Sequence, residues 1–103
     1  MKQAKHFTEI GTDGRPLGAE AIELIFRELA AAEEEHPGWP DDAIYAVAIL
    51  IEEAGEAMQA AIDLTWLDKG ALRGVRNELI GKLRRELAQT GAMALRALIH
   101  LED

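Results

Sequence analysis

Three glutamates lie within five residues of an otherwise apolar stretch, as Glu52, Glu53 and Glu56. On a helix Glu52 and Glu56 share one face, which Gln59 and Asp63 continue as a polar stripe. Glu53 lies within reach of Glu56 by the i, i+3 spacing. Carboxylates gathered in this way repel one another, and Mg²⁺ or Mn²⁺ would relieve the repulsion because these cations prefer oxygen ligands. The spacing therefore indicates a metal site, with a solvated acidic face as the alternative.

A fourth acid, Glu86, lies on a later helical segment, where it interrupts an apolar stripe. A buried acid needs a partner, because an unpaired charge in apolar surroundings is costly. Three outcomes are open for Glu86: a pair with Lys82 or Arg85, exposure at the end of a bundle, or a position facing the earlier acids as a further metal ligand. Gln89, one turn later, would support the same site as a neutral oxygen donor.

Basic residues are concentrated between the two acid-bearing segments. Residues 69–85 contain six basic side chains and one acid, although the whole chain has 11 lysines and arginines against 19 acids and a net charge of −8. This basic segment is suited to phosphate oxygens, to a subunit contact or simply to solvent. The acidic balance of the whole chain argues against duplex nucleic acid as a partner.

The composition also excludes several kinds of chemistry. The 103 residues include no cysteine and no serine, which excludes disulfides, thiolate zinc sites, a cysteine nucleophile and a Ser–His–Asp triad. The sequence has no apolar run of membrane-spanning length and no apolar signal-peptide core. We therefore expect no membrane partner and a cytoplasmic location.

Clusters of turn-forming residues divide the chain into three long segments that are rich in alanine, leucine, glutamate and arginine. These residues favour helices, so the sequence predicts a single all-α domain over 1–103, with residues 1–16 as an N-terminal loop. The predicted helices cover about 17–35, from 41 or 42 to about 64, and about 74–101. A short extra helix around 69–73 is an option.

The second predicted helix is too apolar for an ordinary surface helix. Its first half carries six large apolar side chains, namely Ile44, Tyr45, Val47, Ile49, Leu50 and Ile51. A helix that is apolar on all sides must be covered on all sides, and two further helices of a small chain do not suffice. The sequence therefore predicts a homodimer or a larger homo-oligomer, with the second helix at its centre.

The two acidic segments together resemble a known family. Glu52-Glu53-x-x-Glu56, followed by Arg85-Glu86-Leu87-Ala88, is similar to the E-E-x-x-E and E-x-x-D motifs of the MazG-like nucleoside triphosphate pyrophosphohydrolases. This all-α superfamily also includes dimeric dUTPases and phosphoribosyl-ATP pyrophosphatase. The resemblance covers roughly residues 20–101. It implies a MazG-like domain that hydrolyses a nucleoside triphosphate to the monophosphate and pyrophosphate, through attack of water at the α-phosphorus.

The resemblance also implies roles for individual residues. Metal binding, of Mg²⁺ or Mn²⁺, falls to Glu52, Glu53, Glu56 and Glu86, and the catalytic residues are Glu53 and Glu56. Substrate contacts are expected from Lys82, Arg85 and Gln89. Gln89 stands where the family pattern has aspartate, and a neutral amide is a weaker ligand for a hard cation. Two alternatives follow: a weak or inactive MazG-fold protein that binds a nucleotide or a protein partner, and a purely structural helical assembly module.

Overall fold

The computed structural model describes residues 4–101, and their fold is all-α. Helix α1 spans Leu17–Glu35, α2 spans Ala43–Thr65 and α3 spans Arg73–His100. The described residues contain no strand beyond an isolated bridge between Ile10 and Pro16. The predicted fold class is confirmed, and each helix begins and ends within about two residues of its predicted position. Residues 1–3 and 102–103 of the predicted domain lie outside the described residues.

The helix ends follow from local chemistry. The side chain of Asp42 accepts a hydrogen bond from the backbone N–H of Ile44 at 2.9 Å and so caps α2. Helix α1 ends two residues before Pro37, whose ring restricts the residue that precedes it. Between α2 and α3, the N–H of Ala71 donates to the carbonyl of Asp68 at 2.9 Å. That segment is a turn and not a further helix.

Helix α3 packs against both other helices, whereas α1 and α2 make no close backbone approach to each other. The three helices therefore form an open groove, with α3 as its floor and α1 and α2 as its walls. The buried hydrophobic residues of the described chain are small apart from one methionine: Ala46, Ala57, Ala60, Ala88, Ala92 and Met93. Small side chains let the helix axes approach, and they leave the groove above α3 unfilled.

Two glycines lie at close approaches between segments of the chain. A Cβ atom on Gly91 of α3 would lie 3.0 Å from Cδ1 of Ile25 on α1. A Cβ atom on Gly18 would overlap the ring of Phe7, and the Gly18 N–H donates to the Phe7 carbonyl at 2.9 Å. The first contact sets the distance between α1 and α3, and the second places the N-terminal segment across the start of α1.

Helix α2 leaves much of its apolar surface uncovered by the single chain. Exposed fractions reach 81% for Ile44, 60% for Tyr45 and 64% for Ile51, and Trp66, directly after the helix, is 81% exposed. The predicted homo-oligomer, with α2 at its centre, would cover these side chains, and the association itself stays a prediction. Despite the apolar character of α2, no helix of the described chain is long and apolar enough to cross a membrane.

Candidate metal centre and adjoining cavity

Three carboxyl groups from two helices meet beside the groove. Glu53 and Glu56 of α2 and Glu86 of α3 each place one oxygen so that the three atoms lie within 4.8 Å of one another. The two α2 residues are one turn apart on the same helix. Glu86 reaches them because α2 and α3 pack together, and Ala57 of α2 and Ala88 of α3 are both buried. We refer to Glu53, Glu56 and Glu86 as the acidic trio.

The acidic trio has no compensating charge within residues 4–101. None of its members pairs with a lysine, arginine or histidine there. The Oε2 atoms of Glu53 and Glu86 are buried without a hydrogen-bond partner. A buried polar atom in this position costs free energy, and a negatively charged one costs more. The arrangement is therefore one that a bound cation would stabilise.

The same crowding changes the protonation of Glu53. Burial is the largest cause that raises the pKa of Glu53 from 4.5 to about 7, followed by the charge of Glu56 and a hydrogen bond shared with it, and then by the charges of Glu86 and Glu52. A raised pKa of this origin shows that the ionised trio is unfavourable without a positive charge. Glu53 can therefore hold a proton near neutral pH.

Glu52 lies outside the acidic trio. Its side chain is exposed, and it acts on Glu53 only through its charge. The polar stripe expected on α2 ends in a separate pair, in which Gln59 Nε2 donates to Asp63 Oδ1 at 2.9 Å on the exposed surface. Of the four acids that the sequence predicts as ligands, the structure thus brings together Glu53, Glu56 and Glu86.

A cavity of about 340 Å³ lies in the groove beside the trio, and Glu53 is one of its lining residues. Residues of all three helices and of the 36–40 loop surround it, with Ala92 and Met93 of α3 among them. Ligand-binding cavities in proteins commonly begin at about 300 Å³. We refer to this space as the groove cavity.

Gln89 lines the groove cavity and is not part of the acidic trio. Its Nε2 atom donates to Oε2 of Glu28 on α1, at 3.4 Å. The amide therefore bridges the floor of the groove to one wall. This position is compatible with the substrate contact predicted for Gln89, which stays a prediction.

Lys82 and Arg85 are not brought to the trio in the single chain. Both are exposed, and they line a different, open cavity on α3 together with Glu78, Leu79 and Gly81. Neither residue forms an ion pair with another part of the described chain. A contact between these side chains and phosphate stays a prediction.

Arg96 is a buried residue that sequence reasoning missed. It is 3% exposed and donates hydrogen bonds to the backbone carbonyls of His36 and Gly38, the latter at 3.3 Å. Its guanidinium carbon lies 4.8 Å from the centre of the Trp39 ring, and its Nη2 atom lies 3.5 Å from Oε2 of Glu33. Arg96 therefore fastens the 36–40 loop to α3 and closes one end of the groove cavity.

Glu28 was also missed, although the sequence contains a signal for it. Ile25 of α1 packs on α3, and Glu28 lies one turn after it. Glu28 therefore interrupts the inner face of α1, just as Glu86 interrupts the inner face of α3. The same argument applies to Arg96, which lies one turn after the buried Ala92. A charged residue on a buried stripe was the informative pattern in every case.

Comparison with known proteins adds no relative to this description. No family model, no curated protein and no solved structure matches the chain. The resemblance to the MazG-like pyrophosphohydrolases therefore rests on the two acidic motifs, and it stays a prediction.

Proposed function

We propose that the protein is a metal-dependent nucleotide pyrophosphohydrolase that converts a nucleoside triphosphate to the monophosphate and pyrophosphate. One observation carries the proposal: three carboxyl groups from two helices converge beside a cavity of about 340 Å³, and two of their oxygens are buried without partners. The resemblance of the two acidic motifs to the family supplies the reaction. The three carboxyl groups beside the cavity are where we expect the metal and the phosphates to bind.

The residues fit a hard divalent cation. Glu53, Glu56 and Glu86 would hold Mg²⁺ or Mn²⁺, since carboxylate oxygens suit both ions and the unpartnered oxygens would gain a ligand. When bound, such a cation supplies positive charge against the phosphates and lowers the pKa of a coordinated water molecule. Glu52, exposed beside Glu53, would contribute negative charge at a greater distance.

Glu53 is the residue that we expect to accept the proton from the attacking water. In the metal-free chain the pKa of Glu53 is about 7, and a bound cation would lower it, so that this carboxylate would be ionised when the water attacks. As that proton leaves, the water oxygen forms a bond to the α-phosphorus. The bond from this phosphorus to the oxygen that bridges to the β-phosphorus breaks, and pyrophosphate departs. The charge of Glu56, one turn away on α2, raises the pKa of Glu53 in the metal-free chain.

We also propose that the working form is a homodimer or larger homo-oligomer built on α2. Ile44 and Ile51 lie two turns apart on the same face of α2 and are 81% and 64% exposed. Burial of such a face against a second copy would remove apolar surface from water. In an oligomer, Lys82 and Arg85 of one copy would be available to the phosphates at the trio of another. A nucleotide substrate would agree with the cytoplasmic location expected from the sequence.

Nucleotide binding without hydrolysis is the second candidate. Gln89 favours it, because this amide stands in place of an acidic ligand and donates to Glu28. A protein of this kind would keep the groove cavity and lose turnover. The structural-module alternative, in which the acids are only solvated, agrees with the exposed Glu56 and the exposed apolar face of α2, but it does not account for the buried, unpartnered oxygens of Glu53 and Glu86.

The test is pyrophosphate release from a panel of nucleoside triphosphates with Mg²⁺, with Mn²⁺ and with chelator. Metal-dependent release that falls ~100-fold or more in Glu56→Gln is expected, as is normal for loss of a group in the reacting constellation. Glu34→Gln, an exposed position on α1, is the matched control and should keep full activity. Metal-dependent nucleotide binding without release would favour the second candidate, and the absence of both would contradict the site.

A further inference from the structure

The hydrogen-bonding groups of the groove cavity are unevenly divided between acceptors and donors. Three carboxyl groups line it, from Glu28, Glu35 and Glu53, and the only basic side chain besides His36 is Arg96. Ionised carboxylates accept hydrogen bonds and donate none. Glu35 is exposed to solvent, Glu53 belongs to the acidic trio, and Arg96 contributes a buried Nε donor without a partner. Glu28 is therefore the half-buried acceptor that an N–H or O–H group of a ligand would satisfy.

Glu28 is placed to receive such a donor. It is half-buried on α1 and faces across the groove to Gln89, whose Nε2 atom occupies one side of Glu28 Oε2 at 3.4 Å. The carboxylate has a second oxygen, and each oxygen can accept more than one hydrogen bond. Gln89 thus orients the carboxylate without exhausting its capacity, and its own carbonyl oxygen adds a further acceptor.

The rest of the cavity suits a flat, largely apolar group. Ala92 and Met93 contribute from the floor, and Ile49 contributes from α2. Trp39 is held as a fixed wall, because Arg96 lies over its ring at 4.8 Å and the His100 ring is stacked on it at 6.0 Å. The volume of about 340 Å³ falls within the range of small-molecule cavities. Glu53, at the edge of the same cavity, belongs to the acidic trio.

We infer that the groove cavity binds the nucleobase and that Glu28, oriented by Gln89, selects bases that carry an exocyclic amino group. This inference rests on the proposed function, because it takes the occupant of the cavity to be a nucleotide whose phosphates lie at the trio. Guanine, adenine and cytosine present amino hydrogens to a carboxylate. Uracil and thymine present a carbonyl oxygen where cytosine presents its amino group, and a carboxylate facing that position disfavours the oxygen.

Matched pairs of nucleotides test the selection. We would compare the kcat/KM of GTP with that of ITP, and of CTP with that of UTP, since the members of each pair differ only in or around one amino group. A hydrogen bond to a charged partner corresponds to a preference of ~tenfold or more. In at least one pair, the kcat/KM of the amino-bearing nucleotide should exceed that of its partner by this factor. Equal values in both pairs, or a preference for ITP and UTP, would overturn the inference.

The Glu28→Gln variant tests whether Glu28 is the residue that causes the preference for amino-bearing bases. The amide has a donor where the carboxylate had only acceptors, so the preference within the pair should shrink to ~threefold or less. Glu34→Gln, exposed on the same helix and away from the cavity, is the matched control and should keep the wild-type preference. A preference that survives in Glu28→Gln would overturn the role of Glu28.

Equilibrium binding separates this inference from the proposed function. The 5′-monophosphates of guanosine, inosine, cytidine and uridine are titrated by calorimetry into the protein with Mg²⁺ present. Selective binding of an amino-bearing monophosphate without any pyrophosphate release would support the cavity assignment and contradict hydrolysis. Release of pyrophosphate at equal efficiency from all triphosphates would support hydrolysis and contradict the selection of amino-bearing bases. Binding of none of the four would overturn the cavity assignment, whatever the outcome for hydrolysis.

Discussion

At the scale of single residues, Glu53 couples protonation to stability. Its pKa in the folded, metal-free chain is about 7, above the value of 4.5 expected when the chain is unfolded. The folded state therefore binds this proton more tightly than the unfolded state. The stability that it contributes is fully present below about pH 4.5 and is lost as the pH rises through about 7.

A pH series of thermal unfolding in chelator checks this coupling. The contribution of Glu53 to the midpoint should decline between about pH 5 and about pH 8, so the wild-type profile should fall more steeply than that of Glu53→Gln. Addition of Mg²⁺ or Mn²⁺ at about pH 8 should raise the midpoint of the wild type more than that of the variant. Superimposable profiles for the two proteins would contradict the assigned environment of Glu53.

The sequence predicted some residues of the site and not others, for a physical reason. Glu53 and Glu56 were predictable because carboxylates clustered on one helix repel one another and a cation relieves this, and Glu86 because an acid on an apolar helical stripe needs a partner. The side to which Lys82 and Arg85 point depends on how α3 is rotated against its neighbours, which the pattern within one helix does not fix. Glu28 forms its contact with a residue 61 positions away, so only the tertiary packing reveals it.

At the scale of elements, the helices were predictable and the groove was not. Helix formers and the boundaries at Pro37 and Asp42 act locally, so the sequence contains the bounds of α1 and α2. The open space between α1 and α2 depends on the alanine-rich surface of α3 and on the direction in which two connections leave their helices. Neither feature has a local signature.

The close approach of α1 and α3 at Gly91 gives a prediction at this scale. Gly91→Leu should destabilise the fold by about 1–3 kcal/mol, because the new side chain must displace Ile25, whose Cδ1 atom would lie 3.0 Å from the added Cβ. Urea unfolding measures the change. Gly81→Leu is the matched control, since a Cβ there meets nothing within 4 Å.

The Gly81→Leu control should stabilise the fold instead of destabilising it. Gly81 lies inside the same helix and is exposed, so leucine there should raise the free energy of unfolding by up to about 1 kcal/mol through helix propensity. Equal effects of the two substitutions would show that Gly91 is not a packing position.

At the scale of the whole molecule, the exposed apolar face of α2 predicts self-association. Light scattering coupled to size-exclusion chromatography should give a mass that is a multiple of the 11.3 kDa chain. Ile51→Lys places a charge on a side chain that is 64% exposed in the single chain, and it should shift the mass toward the monomer. Ile10→Lys, at a position 67% exposed in the N-terminal segment, is the matched control and should leave the mass unchanged. A wild-type mass of one chain would contradict the oligomer.

The most direct test of the account is Mn²⁺ binding, followed by electron paramagnetic resonance, in the wild type, in Glu86→Gln and in Glu78→Gln. Glu86 and Glu78 are glutamates of the same helix, but only Glu86 belongs to the acidic trio. We predict that Glu86→Gln weakens Mn²⁺ binding by ~tenfold or more, whereas the exposed Glu78→Gln leaves it unchanged. Equal binding by all three proteins, or no binding by the wild type, would contradict a metal centre between α2 and α3.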